Sequence, residues 1–365
     1  MALTKSVDAS RFSHRLITWQ RHSGRHDLPW QAAGRRADPY RVWLAEIMLQ
    51  QTQVAVVSKY YEGFLDRFAT LAALAAASLD DVMRLWSGLG YYARARNLHA
   101  AAQRVATEFA GDFPRDLATI ASLPGIGPST AAAIAVFAFG ARAAILDGNV
   151  KRVLARVFAI DGMPNEAAVE KRMWALADSL LPDRDIEAYT QGLMDLGATV
   201  CTARKPRCEL CPFADECRAK REGRIEALPT RRARIALPER CITMIVVERE
   251  GAVLLEKRPP LGIWGGLWSL PEGPALAAGG EAAARRFATR HGKFVALERH
   301  TPFVHGFTHF RLVVEVVRIE VGEPVAPHAD DSGQMHAWMP LDEARRVGLP
   351  APVRKLLDAF AHALL

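Results

Sequence analysis

The chain has no long hydrophobic run. Its longest, AAAIAVFAFGA, falls well short of the about 20 apolar residues a membrane-spanning helix needs. The opening stretch MALTKSVDASRFSHRLITWQ lacks the sustained apolar core of a secretory leader. Cysteine is scarce: five occur in 365 residues, and four of these crowd between Cys201 and Cys217. That pattern argues against a disulfide framework and for a metal site in a reducing compartment. Lysine is missing from the whole stretch between Lys59 and Lys151. There is no internal repeat, and no low-complexity tract beyond a richness in alanine. These absences predict a cytoplasmic protein that does not enter a membrane.

What is present is enough for more than one domain. A length of 365 residues makes two domains the default, and 50% hydrophobic content supplies their cores. The net charge of +7 suits a polyanionic partner. From about Ser10 to Ala198 the pattern predicts helices throughout. NVKRVLARVFAI places Val150, Val153, Leu154, Val157 and Phe158 on one helical face, and TLAALAAASLDDVMRLW and PSTAAAIAVFAF favour helix by composition. EALPTRRARIALPER, basic and punctuated by proline, reads as a linker. Beyond it CITMIVVERE and AVLLEKR read as strands joined by a hairpin near Glu250–Gly251, and FTHFRLVVEVVRIEV as a further strand region. GEAAARRFATRHG and APVRKLLDAF read as helices, so the second half is α+β.

Three places carry chemistry. In LPGIGPSTA, Gly125 and Gly127 bracket a tight turn and Pro128 opens the next helix, so amide groups at the positive end of a helix are available to a phosphate. In DPYRVWLAEIMLQQTQV, Asp38 can cap a helix that Pro39 opens, and the helical neighbours of Glu46 are Val42, Trp43, Leu49 and Gln50. A carboxyl among apolar neighbours is desolvated, and its pKa rises toward neutrality. Asp147 ends AAIL and begins DGNVKR, where it reads both as a helix N-cap and as an ionised partner for Glu46. Such a pair is what cleavage of a glycosidic bond through a cationic sugar requires. The third place is Cys201-x6-Cys208-x2-Cys211-x5-Cys217, four thiolates in one loop with Arg204, Lys205 and Arg207 beside them. The spacing suits zinc or an iron–sulfur cluster equally. Cys241 stands apart and reads as a buried strand cysteine.

Together LPWQ, WLAEIMLQQTQV, GLGYYARARNL, LPGIGPSTA, LDGNVKRVL and the cysteine loop resemble the MutY-type adenine DNA glycosylases of the helix-hairpin-helix superfamily, over roughly the first 225 residues. The resemblance implies removal of adenine mispaired with 8-oxoguanine or guanine in double-stranded DNA, by flipping the adenine out of the helix. It implies one 4Fe–4S cluster per chain, held by Cys201, Cys208, Cys211 and Cys217. Glu46 would protonate adenine at N7 and assist hydrolysis, while Asp147, supported by Asn149, would stabilise the sugar cation. Tyr91 would wedge into the base stack, with Leu89, Gln51 and Thr52 near the 8-oxoguanine and Leu28 and Trp30 in the same DNA-binding surface. In the related endonuclease III a lysine follows the hairpin and attacks the sugar. Here Ser129 stands in that place, so the reaction stops at an abasic site.

The second half resembles the Nudix fold in GIWGGLWSLPEG and MPLDEARRVGLP. Its helix carries Arg286, Thr289 and Arg290 where a Nudix hydrolase would place glutamates for magnesium, so it is expected to bind rather than hydrolyse. GFTHF resembles the element with which MutY-type enzymes sense 8-oxoguanine, and assigns that role to Phe307, Thr308 and His309, with threonine in place of serine. The expected fold is therefore multi-domain. An all-α helix-hairpin-helix glycosylase domain spans 1–226 with its iron–sulfur loop at 201–217, a linker spans 227–238, and an α+β Nudix-like domain spans 239–365. The protein is expected to act as a monomer on nucleoid DNA in a bacterial cytoplasm.

Overall fold

Capping chemistry sets out the helices. In the computed structural model, which describes residues 9–31, 37–232, 236–324 and 335–363, they run as α1 (Ala9–Ser23), α2 (Pro39–Leu49), α3 (Val54–Arg67), α4 (Leu71–Ala76), α5 (Leu79–Trp86), α6 (Ala93–Glu108), α7 (Leu117–Ser122), α8 (Pro128–Phe139), α9 (Gly148–Val157), α10 (Ala167–Ser179), α11 (Ile186–Asp195) and α12 (Arg218–Arg221). Asp38 caps α2, accepting from the Arg41 amide at 3.1 Å, and Pro39 fills the first position, where its missing N–H costs nothing. The alanine-rich stretch expected as one helix is two. Ser78 accepts from the Asp81 amide at 3.1 Å, and this cap starts α5 afresh. Residues 233–235 of the expected linker lie outside the described residues. No helix among the described residues is long and apolar enough to cross a membrane.

The chain forms two compact units: Met1–Ala76 with Asn97–Arg234, and Ala77–Arg96 with Ile235–Leu365. The first is all-helical. Phe12 and Leu16 of α1, Val136 of α8, Val150, Val153 and Leu154 of α9 and Phe213 of the cysteine loop share one core, with the Phe12 and Phe213 rings stacked at 4.3 Å. α2 packs on α8, bringing the helix that carries Glu46 against the one that follows the hairpin.

The second unit is built on a seven-stranded sheet: β1 (Glu239–Arg249), β2 (Ala252–Lys257), β3 (Trp268–Ser269), β4 (Glu272–Pro274), β5 (Phe294–Gly306), β6 (Arg311–Val321) and β7 (His336–Pro340). The main path is β3-β2-β1-β6-β5, with β4 on β1 and β7 on β2. β1 and β6 run parallel, Ile242 opposite Val314. The expected hairpin is present, its turn made by Glu250 and Gly251 at φ 49° and 76°, the left-handed pair that suits strand twist. Helix α13 (Gly280–Ala288) buries Ala284 and Ala288 against Ile245, Val247, Val317 and Ile319, and α14 (Leu341–Ala344) and α15 (Ala351–Ala363) follow the last strand.

Two expectations are corrected here. The strand region expected over Phe307–Val321 begins at Arg311, because residues 307–310 form the turn from β5. Cys241 lies on a strand but is exposed: the first three residues of β1 face solvent and burial starts beyond them.

Candidate active site

Glu46 sits two turns into α2 among Val42, Trp43 and Ala45, all buried to 4% exposure or less. Burial pushes its carboxyl up from 4.5 to about 8, and the charge of Asp147 adds to the rise. The two carboxylates that the sequence offered as a pair therefore act on each other across α2 and α9.

Asp147 is the N-cap of α9. One oxygen accepts the Val150 amide at 2.8 Å and the other accepts the Asn149 side-chain amide at 3.0 Å, so both oxygens are acceptors, the role a carboxylate fills. The approach to Asp147 is fixed too: the Leu146 amide donates to the Ser129 hydroxyl at 3.0 Å. Ser129 is the second residue of α8, directly after the hairpin, so the hairpin and the carboxylate share one frame. A cap of this kind orders a helix start and aims the capping side chain in a single act.

The hairpin is tight. Gly125 adopts φ 78°, and a Cβ there would lie 2.8 Å from the Asn97 side chain, so only glycine fits. Gln50, at the end of α2, donates to the Gly125 carbonyl at 3.2 Å. Gly127 is exposed with open space around it, which leaves the N-terminus of α8 uncovered. Gln51 and Thr52 follow directly, Gln51 exposed at φ 57° and Thr52 half-buried. Leu28 and Trp30 lie in a turn held by the Gln31 amide on the Leu28 carbonyl, with Trp30 edge-on to Tyr61 at 5.5 Å.

The four cysteines of the loop are free thiols that line one cavity, together with Val153, Val157, Leu196 and Val200. Burial pushes the Cys211 thiol up to about 12, whereas a thiol that coordinates a metal is held deprotonated. Among the described residues no three Cys, His, Asp or Glu side chains are gathered as a single metal ion would need. Four sulfurs around one cavity, with Arg156 and Lys220 also in its wall, are a thiolate donor set that suits a metal centre.

Two arginines that the sequence reading passed over tie this loop to α9. Arg156, 2% exposed, donates to Thr202 at 2.7 Å, to Leu228 at 2.9 Å and to the Cys201 sulfur at 3.4 Å. Arg152 donates to the Cys201 carbonyl, to Asn149 Oδ1 and to the Gly197 carbonyl, each at 2.7 Å. Their signal was a pair of arginines four apart on a helix whose Val150, Val153, Leu154 and Val157 form an apolar face.

In the other unit, Tyr91 is 44% exposed at φ 49°, while Leu89 is buried at 5%. Arg94 lies over the rings of Trp86 at 5.3 Å and Tyr91 at 5.5 Å, and donates to the Gly90 carbonyl at 3.0 Å. Thr308 and His309 are exposed at the tip of a turn closed by the Phe307 amide on Phe310 at 2.9 Å, with those two rings stacked at 4.5 Å. On α13, Glu281 is held by Arg299 and Arg286 is exposed, as are Thr289 and Arg290, which lie just past the end of the helix and not on it as expected.

Three family models match the chain: the HhH-GPD superfamily of base excision DNA repair proteins over residues 44–179, the iron–sulfur binding domain of endonuclease III over 201–217, and a NUDIX domain over 242–359. The chain is similar to the adenine DNA glycosylase of Buchnera aphidicola subsp. Acyrthosiphon pisum (strain APS), 35% identical over 349 residues that cover 96% of this chain and 97% of that protein. It is similar to the adenine DNA glycosylase of Homo sapiens, 35% identical over 415 residues, covering 97% of this chain and 74% of that protein. A solved thermostable thymine-DNA glycosylase superposes with a TM-score of 0.53 at 31% identity, covering 59% of this chain and 97% of that one.

Proposed function

The chain belongs to the adenine DNA glycosylase family, and on that premise we propose that its target is adenine opposite 8-oxoguanine or guanine in duplex DNA, flipped into the site and released by hydrolysis alone. One observation carries the proposal: a carboxyl raised to about 8 beside a second carboxyl held by a helix cap. At neutral pH Glu46 keeps its proton, and it passes that proton to adenine N7 as the C1′–N9 bond breaks and its electron pair leaves with the base. The positive charge left on the sugar faces Asp147, whose oxygens Asn149 and the Val150 amide hold in place. Water then adds to C1′ and gives its proton to the Glu46 carboxylate, restoring the acid.

The uncovered start of α8 suits a backbone phosphate, and its anchoring through Gly125 and Ser129 would set the flipped sugar beside Asp147. Tyr91 acts as the wedge, with Gln51 and Thr52 near the opposite base, and Phe307, Thr308 and His309 form the 8-oxoguanine sensor. The iron–sulfur loop holds one 4Fe–4S cluster per chain on Cys201, Cys208, Cys211 and Cys217, and the cluster's part is to brace the loop. The protein acts as a monomer in the cytoplasm.

Incubating the purified protein with duplexes that carry each mispair, followed by alkali, tests the reading. Strand breaks are expected at adenine opposite 8-oxoguanine and, more slowly, opposite guanine, with none before alkali. Breaks at oxidised pyrimidines would overturn it. Ser129→Lys should add a primary amine beside the sugar, so that borohydride traps a protein–DNA adduct that the parent protein does not give. Equal trapping by the parent would place the chain among the lyases.

A further inference from the structure

The loop that presents Tyr91 and the turn that presents Thr308 belong to the same unit of the fold, and specific contacts join them. Arg96 lies in the first turn of α6, five residues beyond Tyr91, and its guanidinium donates to the Gly265 carbonyl at 2.7 Å. That carbonyl belongs to a turn with little freedom. A Cβ on Gly265 would meet the Pro260 carbonyl oxygen at 2.5 Å, and its neighbours Trp264 and Gly266 hold φ of 55° and 77°. The left-handed conformation is unfavourable for tryptophan, so the surrounding contacts must hold it. Its ring, 7% exposed, rests against His305 at 5.8 Å and Phe307 at 5.7 Å. Phe307 in turn closes the Thr308–His309 turn.

On the other side the same turn of α6 governs the tyrosine. Arg94, two residues before Arg96, lies over the Tyr91 ring and takes the carbonyls of Leu89 and Gly90. A continuous chain of contacts thus runs from Tyr91 through α6 and the Trp264–Gly265 turn to Phe307.

We propose that Arg96, acting through Gly265 and Trp264, couples the Tyr91 loop to the Phe307–His309 turn, so that the two read the base opposite the adenine as one element. The inference rests on the assignment of Tyr91 and Thr308 to base recognition. Arg96 is a positioning residue: it touches neither DNA nor the reacting atoms. Residues that share one network give non-additive effects when changed together, whereas independent contacts add.

The test is a double-mutant cycle on the full chain. Tyr91→Leu, Thr308→Val and the double variant are compared by single-turnover adenine release opposite 8-oxoguanine and opposite guanine, and the ratio of the two rates is the readout. Each single variant should lower that ratio about tenfold, and the double variant should lower it by at least threefold less than the product of the singles. In an Arg96→Met background the shortfall should disappear, and Arg96→Lys should restore part of it. Singles that leave the ratio unchanged would sink the assignment of the two residues to base recognition. Singles that lower it but multiply independently in the parent chain would sink the coupling alone. A shortfall that persists undiminished in the Arg96→Met background would sink the part given to Arg96. Should Arg96→Met fold poorly, an undiminished shortfall in the Arg96→Lys background, which alters the bond to Gly265 but keeps the charge, would sink it equally.

Discussion

A single carboxyl shows how burial sets the chemistry. Glu46 binds its proton far more tightly in the folded chain than a free glutamate does, since its pKa is raised from 4.5 to about 8, first by desolvation and then by Asp147. For a carboxyl whose pKa is raised on folding, the folded state is favoured most below about 4.5 and loses that advantage as pH rises toward 8. Two consequences follow for Glu46→Gln. Adenine release should fall by about 10²–10⁴-fold with duplex binding nearly intact, as for loss of a general acid. The variant should also melt above the parent at pH 8 and lose that lead by pH 5, a gap of a few degrees that calorimetry at the two pH values would resolve. Near-normal release, or a gap that grows toward acid, would contradict the role. The residue was readable in the sequence because its i±3 and i±4 neighbours are local: Trp43 and Val42 are three and four letters away in the same helix. The bond from Leu146 to Ser129 was not readable, since it joins residues seventeen apart across a turn whose path no local pattern states.

At the scale of elements, α9 does two tasks at once. Its N-terminus aims Asp147, and its half-buried Arg152 and buried Arg156 clasp the cysteine loop. The close approach that permits this falls at Gly197, where a Cβ would lie 2.5 Å from Asn149 Cβ and 3.0 Å from the Asn149 backbone. Gly197→Ala should push Asn149 aside, strain the Arg152 contact to the Gly197 carbonyl, and cost about 1–3 kcal/mol of stability by overpacking. Its rate of adenine release should drop even at temperatures where it remains folded, because the partner of Asp147 has moved. Gly63→Ala is the counterpart. Gly63 is exposed within α3 with nothing near its Cβ position, so alanine there should stabilise by about 0.5–1 kcal/mol and leave the rate unchanged. Thermal melts and single-turnover rates of the two variants check both signs. Helix starts were well marked in the sequence at Asp38 and Asp147, where a capping side chain precedes an apolar run. The break at Ser78 was missed because alanine and leucine favour helix on both sides and mask a one-residue cap. Strand β5 was missed for a related reason: its bulges between Phe294 and Ala296 and between His300 and Phe303 disturb the alternation that marks a strand.

For the whole molecule, the change from helical to strand-like composition past the basic, proline-rich stretch was plain in the sequence, because strand propensity and turn chemistry are local properties. The grouping of residues 77–96 with the sheet was invisible to such a reading, since it depends on partners more than 160 positions away. Within that unit the Leu349 carbonyl accepts the Ser87 hydroxyl at 2.7 Å and the Tyr92 hydroxyl at 3.3 Å, Arg354 donates to Ser87 at 3.1 Å, and Gly265 takes Arg96. Deleting the chain after Pro229 removes all of these partners and the Phe307–His309 turn with them. The truncated protein should therefore melt below the full chain, and hydrogen exchange at residues 77–96 should accelerate more than in α9, whose core partners remain. It should still release adenine, since Glu46, Asp147, Asn149 and Ser129 are retained, while its preference for 8-oxoguanine over guanine opposite the target falls. Unchanged exchange at 77–96 would refute the dependence of that segment on the sheet. Undiminished preference would show that the base opposite the adenine is read entirely by residues before Pro229.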